Sequence, residues 1–259
     1  MGLFGSSHSL VNHIINHTPL FAGEIWYVNT TTGKDTNSGR NPHKAFATIG
    51  KALTQVSAGD AITIKEGSYD ESGLDVDLNG VELWGEIGVI ISDTTGSTQT
   101  LLVSGNSCMV KNIKISQSGQ IGVKLTGSGC IIEDVATEDA TVAYDIDGTN
   151  NILQRCQAVN ATTTGYDISN TENILYLCNA INNGASTRGF YISNSASDEN
   201  MIYQCLSTGN ATAGYEVVSG ATYNVFAHCS SGGGDGDRVD LGSRTQWAFF
   251  EGRLPREKH

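Results

Sequence analysis

The amino-acid sequence predicts an all-β fold, a single parallel solenoid of about eight coils, and three observations predict it. One short pattern recurs: its clearest copy runs Ala143-Tyr-Asp-Ile-Asp-Gly-Thr-Asn-Asn-Ile-Leu-Gln-Arg-Cys156, and it returns from Gly165 to Cys178, from Gly189 to Cys205 and from Gly214 to Cys229. The template also lines up apolar residues at steps of about 22 positions. One column reads Val76, Leu101, Val123, Tyr144, Tyr166, Phe190, Tyr215 and Val239; two places on it reads Leu78, Val103, Leu125, Ile146, Ile168, Ile192, Val217 and Leu241. Finally, 31 Gly among abundant Ser, Thr and Asn supply turns on every lap, and only 3 Pro leave the hydrogen-bonded ladders unbroken.

The spacing inside each copy decides for strands. An apolar, polar, apolar triplet such as Tyr144-Asp145-Ile146 sets two side chains on one face and one on the other. A lone copy cannot bury its apolar face, so copies must stack in register, at about 4.8 Å per rung. Copies this short, without a second helical segment, do not fit leucine-rich, tetratricopeptide or ankyrin arrays. A solenoid grows linearly, so 259 residues are read as one body with appendages.

The net charge of -12 repels phosphate backbones and anionic lipid, and Lys and Arg form no run, so neither nucleic acid nor membrane is an expected partner. The first residues hold no basic segment followed by an apolar core, and no secretion signal is expected. The six Cys have stacking addresses. Cys156, Cys178, Cys205 and Cys229 share a column continued upward by Val135 and Ile113, whereas Cys108 and Cys130 head a second one continued by Asn151, Asn173, Asn200 and Asn224. Thiols in such positions pack as small hydrophobes and need no bridge, and Asn side chains stacked from coil to coil can hydrogen-bond as a ladder.

Taken in order, residues 1–25 form an N-terminal extension. Leu10, Val11, Ile14, Ile15 and Phe21 recur at helical spacing, which predicts a short amphipathic helix and a surface for docking a partner. Residues 26–58 read as a strand, a polar loop and an amphipathic capping helix from about Lys44 to Val56, because an open solenoid end exposes core and needs a cover. Residues 59–245 are the solenoid. Residues 246–259 begin with Trp247-Ala-Phe-Phe250, too apolar to stand in water, so this stretch closes the last coil or meets a neighbouring subunit before a solvated end.

The stretch Trp26-Tyr-Val, then Asn41-Pro-His-Lys-Ala-Phe-Ala-Thr-Ile-Gly-Lys-Ala-Leu53, then Gly59-Asp-Ala-Ile with Gly67-Ser-Tyr69, resembles the cap and first coil of the right-handed parallel β-helix superfamily, the pectate-lyase-like proteins and phage tailspikes. The resemblance in architecture extends from residue 26 to about residue 241. It implies a right-handed, single-stranded parallel β-helix.

Chemistry has one candidate surface. The outward position between the two core columns reads Asp77, Leu102, Lys124, Asp145, Asp167, Tyr191, Glu216 and Asp240. Neighbouring rungs set the carboxylates of Asp145 and Asp167 about 5 Å apart and Glu216 about 10 Å beyond Asp167, which brackets the separations used by retaining and inverting glycosidases. Tyr191 would offer a sugar-stacking platform on this face. A solvated strand face of an acidic protein accounts for the same residues. Pectate lyases, which the fold resembles, bring calcium-binding Asp clusters and a catalytic Arg, and polygalacturonases an Asp-Asp pair with Gly-His-Gly. Here the acidic doublet Glu133-Asp134 has no His beside it, His228 stands apart, and Arg155 and Arg188 are placed on other segments of their coils. Gly232-Gly-Gly-Asp-Gly-Asp237 can be drawn as a calcium loop or as a bare turn, and no cofactor is expected.

Two functions follow. The first is a non-catalytic structural or adhesive β-helix, a spike, fibre or decoration of a phage particle, docked by residues 1–24 and trimeric by analogy with tailspikes. The second is a polysaccharide lyase or glycoside hydrolase working on surface polysaccharide with Asp145, Asp167 and Glu216.

Overall fold

The computed structural model describes residues 23–117, 120–182, 187–232, 239–240 and 242–248. The proposed docking residues Leu10, Val11, Ile14 and Ile15 therefore lie outside the described residues, as do Leu241, Phe249 and Phe250. Three parallel sheets run the length of the rod. Sheet I holds the signature strands, Leu74–Val76, Gln99–Val103, Ile121–Leu125, Val142–Ile146, Thr164–Ile168, Arg188–Ile192, Ala213–Val217 and Val239–Asp240. Sheet II runs from Ile25–Val28 to Gln246–Ala248, and sheet III from Gly67–Asp70 to Ser230–Gly232. Every strand pair is parallel and joins consecutive coils, so each lap visits sheets I, II and III in turn.

The core follows from matching large side chains with small ones. Tyr144, Tyr166, Phe190 and Tyr215 point inward from sheet I and stack at centroid distances of 4.7, 4.6 and 5.1 Å, with interplanar angles of 7° or less. Sheet III answers with Thr137, Ala158, Ala180 and Ser207, all buried, which leaves room for the rings to cross the lumen. The buried phenols find partners at the far wall, as buried hydroxyls must: Tyr144 donates to the Val135 carbonyl at 2.6 Å, Tyr166 to Asn179 at 3.1 Å and Tyr215 to Cys205 at 2.7 Å.

The two polar ladders stand where the repeat puts them. Asn151, Asn173, Asn200 and Asn224 are fully buried, and each Oδ1 accepts the backbone N–H of the residue one coil above, from Cys130, Asn151, Asn173 and Asn200, at 2.8–3.0 Å. The column thus satisfies the N–H groups of an inward bend that no strand pairing reaches. All six cysteines are free and buried. Each thiol of the Cys156, Cys178, Cys205 and Cys229 column donates to a carbonyl of the coil above, and burial raises the pKa of Cys156, Cys178 and Cys205.

Three details differ from the sequence reading. In the first coil Leu74 pairs with Leu101 and Val76 with Val103, so the column there is displaced by two residues, Asp75 replaces Asp77 on the outer face, and Leu78 is 36 % exposed. A shift of two preserves the inside-outside alternation, which is why apolar patterning does not detect it. In the last coil Glu216 pairs with Val239 and Val217 with Asp240, one residue out of the expected register. There Asp240 turns to accept the indole N–H of Trp247 at 2.7 Å. The capping helix is shorter than Lys44–Val56: a 3-10 turn at Pro42–Lys44 is followed by extended chain at Phe46, which pairs with Val28, and the α-helix covers only Ile49–Leu53. Thr48 starts it by accepting from Lys51 N–H, and the Glu71 carboxylate takes the N–H groups of Ile49 and Gly50, both at 2.7 Å. At the other end Trp247 stacks on Phe226 with centroids 4.1 Å apart, so this segment closes the last described coil.

Candidate active site

The outer face of sheet I gathers the sequence-derived candidates. Asp145 pairs in register with Lys124 and Asp167, Asp167 with Tyr191, and Tyr191 with Glu216, so these residues stand on successive rungs. The strands carry them outward because Ile146, Ile168, Ile192 and Val217, on the next positions, are locked in the core. The four strands that carry a core ring also bury two consecutive residues, a small one and then the aromatic, as in Gly189-Phe190. A side chain at Gly122 or Gly189 would run into Thr137 or Ser207 of sheet III.

Around Asp167 the neighbouring carboxylates are paired with cations. Lys124 Nζ lies 2.5 Å from both Asp145 and Asp147, and Ser169 donates to Asp147 at 2.5 Å. Burial would raise Asp147, but the bonds from Lys124 and Ser169 outweigh it and hold its pKa below the usual value. For Asp145 burial wins, aided by the neighbouring Asp147 and opposed by Lys124, and its pKa is raised. Glu216 is engaged by Arg188, whose Nε donates at 2.6 Å. Asp167 has no cation within ion-pair distance among the described residues, and its Oδ1 is buried without a hydrogen-bond partner. Burial raises its pKa first; Asp145 and Asp147 raise it further, against the Ser193 hydroxyl and the more distant Arg188. Burial thus raises both carboxyls of the Asp145–Asp167 pair, and of the two only Asp145 is salt-bridged.

Two site residues escaped the sequence reading. Arg188 opens the very strand that carries Tyr191, three residues before it and on the same outer face, instead of lying on another segment. Its guanidinium covers the Tyr191 ring, with Cζ 4.4 Å from the centroid, so one face of the expected sugar platform is already occupied. Asp147 joins through Lys124. Arg155 does stand elsewhere, at the corner between sheets II and III, paired with Glu133 and Asp134. Among the described residues no group of three or more His, Cys, Asp or Glu is placed to hold a metal ion, and residues 233–237 of the glycine-rich stretch lie outside them. A cavity of about 480 Å³ opens beside the capping helix, bounded by Gly50, Leu53, Glu71, Asp75 and Asp77. It lies three rungs from Asp145, whose own surroundings form an open sheet face.

A family profile described as right-handed β-helix region matches residues 71–231. This chain belongs to the right-handed β-helix family. No curated protein matches it in sequence. Among solved structures it is similar to the pectate lyase Pel9A, with a TM-score of 0.61 and 14 % identity over 86 % of this chain and 78 % of that one. It is also similar to the pectin methylesterase PemA from Erwinia chrysanthemi, with a TM-score of 0.61 and 14 % identity over 90 % and 91 % of the chains. A rhamnogalacturonan lyase gives a TM-score of 0.59 and 14 % identity over 80 % and 74 %. At such identity the likeness shows the fold.

Proposed function

We propose that this β-helix protein is a polysaccharide-processing enzyme that cleaves glycosidic bonds on the outer face of sheet I, with Asp167 as the proton donor and Asp145 as the partner carboxylate. The observation that carries the proposal is Asp167 itself: half-buried, with no counter-ion among the described residues, its pKa raised by burial and by the acids of the preceding strand. A protonated carboxyl is what a glycosidic leaving oxygen needs, and a carboxylate one rung away, at about 5 Å, suits a retaining displacement better than a water-mediated one. Lys124 keeps Asp145 in place and favours its charged form, but burial outweighs it and leaves the Asp145 pKa raised. The fold-level neighbours, named as enzymes of pectin and rhamnogalacturonan, support polysaccharide as the substrate class.

The test is a panel of acidic and neutral polysaccharides assayed for three products: new reducing ends, unsaturated uronate absorbance and released methanol. New reducing ends that disappear in Asp167→Asn and in Asp145→Asn are the expected result. Unsaturated uronate or methanol would keep the site but change the bond; activity undiminished in Asp167→Asn would remove the site.

A further inference from the structure

Glu216 enters as a candidate catalytic carboxylate, and its contacts give it different work. Its Oε2 accepts from Arg188 Nε at 2.6 Å, and its side chain is only 14 % exposed. The pairing is not the one the strand register favours, because Arg188 stands opposite Ala213 and Glu216 opposite Tyr191. To reach Glu216 the arginine lies along its own strand, across the Tyr191 ring. A guanidinium held at Nε by a carboxylate and on its face by an aromatic ring retains its two terminal amino groups as donors in a fixed plane. The positive charge so held acts on Asp167, one strand away, and favours its ionised form.

We propose that Glu216 and Tyr191 are positioning residues that hold Arg188 over Tyr191, on the strand next to that of Asp167, where its terminal amino groups bind a substrate oxygen carrying or developing negative charge. This rests on the reading of the Asp145–Asp167 face as the catalytic one. An exposed ion pair without such a role would leave the arginine extended to solvent and would be worth little. A preorganised donor in the site acts because it needs no reorganisation when charge develops.

The experiment reads the titration of the Asp167 carboxyl by carbon NMR in the full chain, its resonance identified by loss in Asp167→Asn. The groups facing it are Asp145 and Asp147 from the preceding strand with Lys124 beyond, and Ser193, Tyr191 and Arg188 from the following strand with Glu216 beyond. Arg188→Gln removes a cation and moves the titration up. If Glu216 positions Arg188, Glu216→Gln also moves it up, by a large part of the Arg188→Gln shift, because the released arginine swings away. If Glu216 is only a neighbouring charge, removing it moves the titration down, and the proposal falls. Circular dichroism checks folding, and Glu216→Asp serves as the second variant, which returns part of the effect.

On whichever polysaccharide the wild type cleaves, Glu216→Gln and Arg188→Gln should each lower kcat about tenfold or more, and the double variant should lose little beyond either alone. Additive losses would overturn the positioning role. A wild type that cleaves nothing would sink the enzymatic reading, while the sign of the titration shift would still decide whether Glu216 governs Arg188.

Discussion

At Asp167 the same burial that would make the residue a proton donor also costs the fold stability. A carboxyl whose folded pKa lies above its unfolded value contributes most to folding at low pH, below about 3.9, and the contribution is lost as pH rises through the raised folded value. Asp167 is such a group. Asp167→Asn should therefore raise the melting temperature at pH 7 while it abolishes cleavage, and the gain over wild type should shrink as the pH is lowered toward 4. Calorimetry of the two proteins from pH 4 to pH 8 checks it; a variant less stable than wild type at neutral pH would mean that the carboxylate is better satisfied than its surroundings indicate. Asp145, Asp167, Tyr191 and Glu216 were legible in the sequence because they share one column at the repeat spacing. Arg188 was not, for a physical reason. Gly189 and Phe190 are both buried, so the strict alternation that assigns faces breaks between Arg188 and Tyr191, and a residue three places away returns to the same face. That Glu216 is spoken for by Arg188 also escaped, since side-chain partners across rungs leave no periodic trace.

The ladders carry the next scale. Asn173 accepts from Asn151 N–H at 3.0 Å and donates to the Gly148 carbonyl at 3.0 Å, both in the dry interior. Asn173→Ala leaves a buried N–H and a buried carbonyl without these partners, a loss of about 1–3 kcal/mol for an orphaned group, which urea denaturation resolves. A loss below a few tenths would mean that water replaces the amide. The corner between sheets II and III is built differently. It is turned by single residues, Asn112, Asp134, Arg155, Leu177, Gln204 and His228, at φ of 52–56°. Left-handed backbone costs a non-glycine residue about 1–2 kcal/mol, less for Asn. Leu177 has φ 54° and an apolar side chain 38 % exposed, so Leu177→Asn should stabilise the rod by about 0.5–1 kcal/mol, again by urea denaturation. These corners explain why coil number was readable while turn positions were not: no glycine marks them. The Asn and Cys columns were readable because stacking repeats a residue type at a fixed step.

Over the whole molecule, contacts run between adjacent coils, and stability in such a rod is a sum of coil and interface contributions that can fail from one end. The N-terminal end depends on a short cover. Ile49 and Ala52 of the helix are fully buried, and Phe46 stacks on Trp26 with centroids 5.9 Å apart. The helix is five residues long, too short to stand by its own propensity. What holds its start is Glu71, whose two carboxylate oxygens each take one N–H, together with Thr48. Glu71→Ala orphans two N–H groups and should cost about 1–3 kcal/mol, lost locally. Hydrogen exchange would then rise in Ala61–Ile64 and Leu74–Val76, next to the helix, while Thr164–Ile168 and Arg188–Ile192, far down the rod, keep the wild-type rates. Those two strands carry Asp167 and Arg188, so cleavage at low temperature should survive the same substitution. Exchange that rises equally in every coil would show instead that the rod unfolds as one unit, with the cap setting the stability of the site from a distance of several rungs.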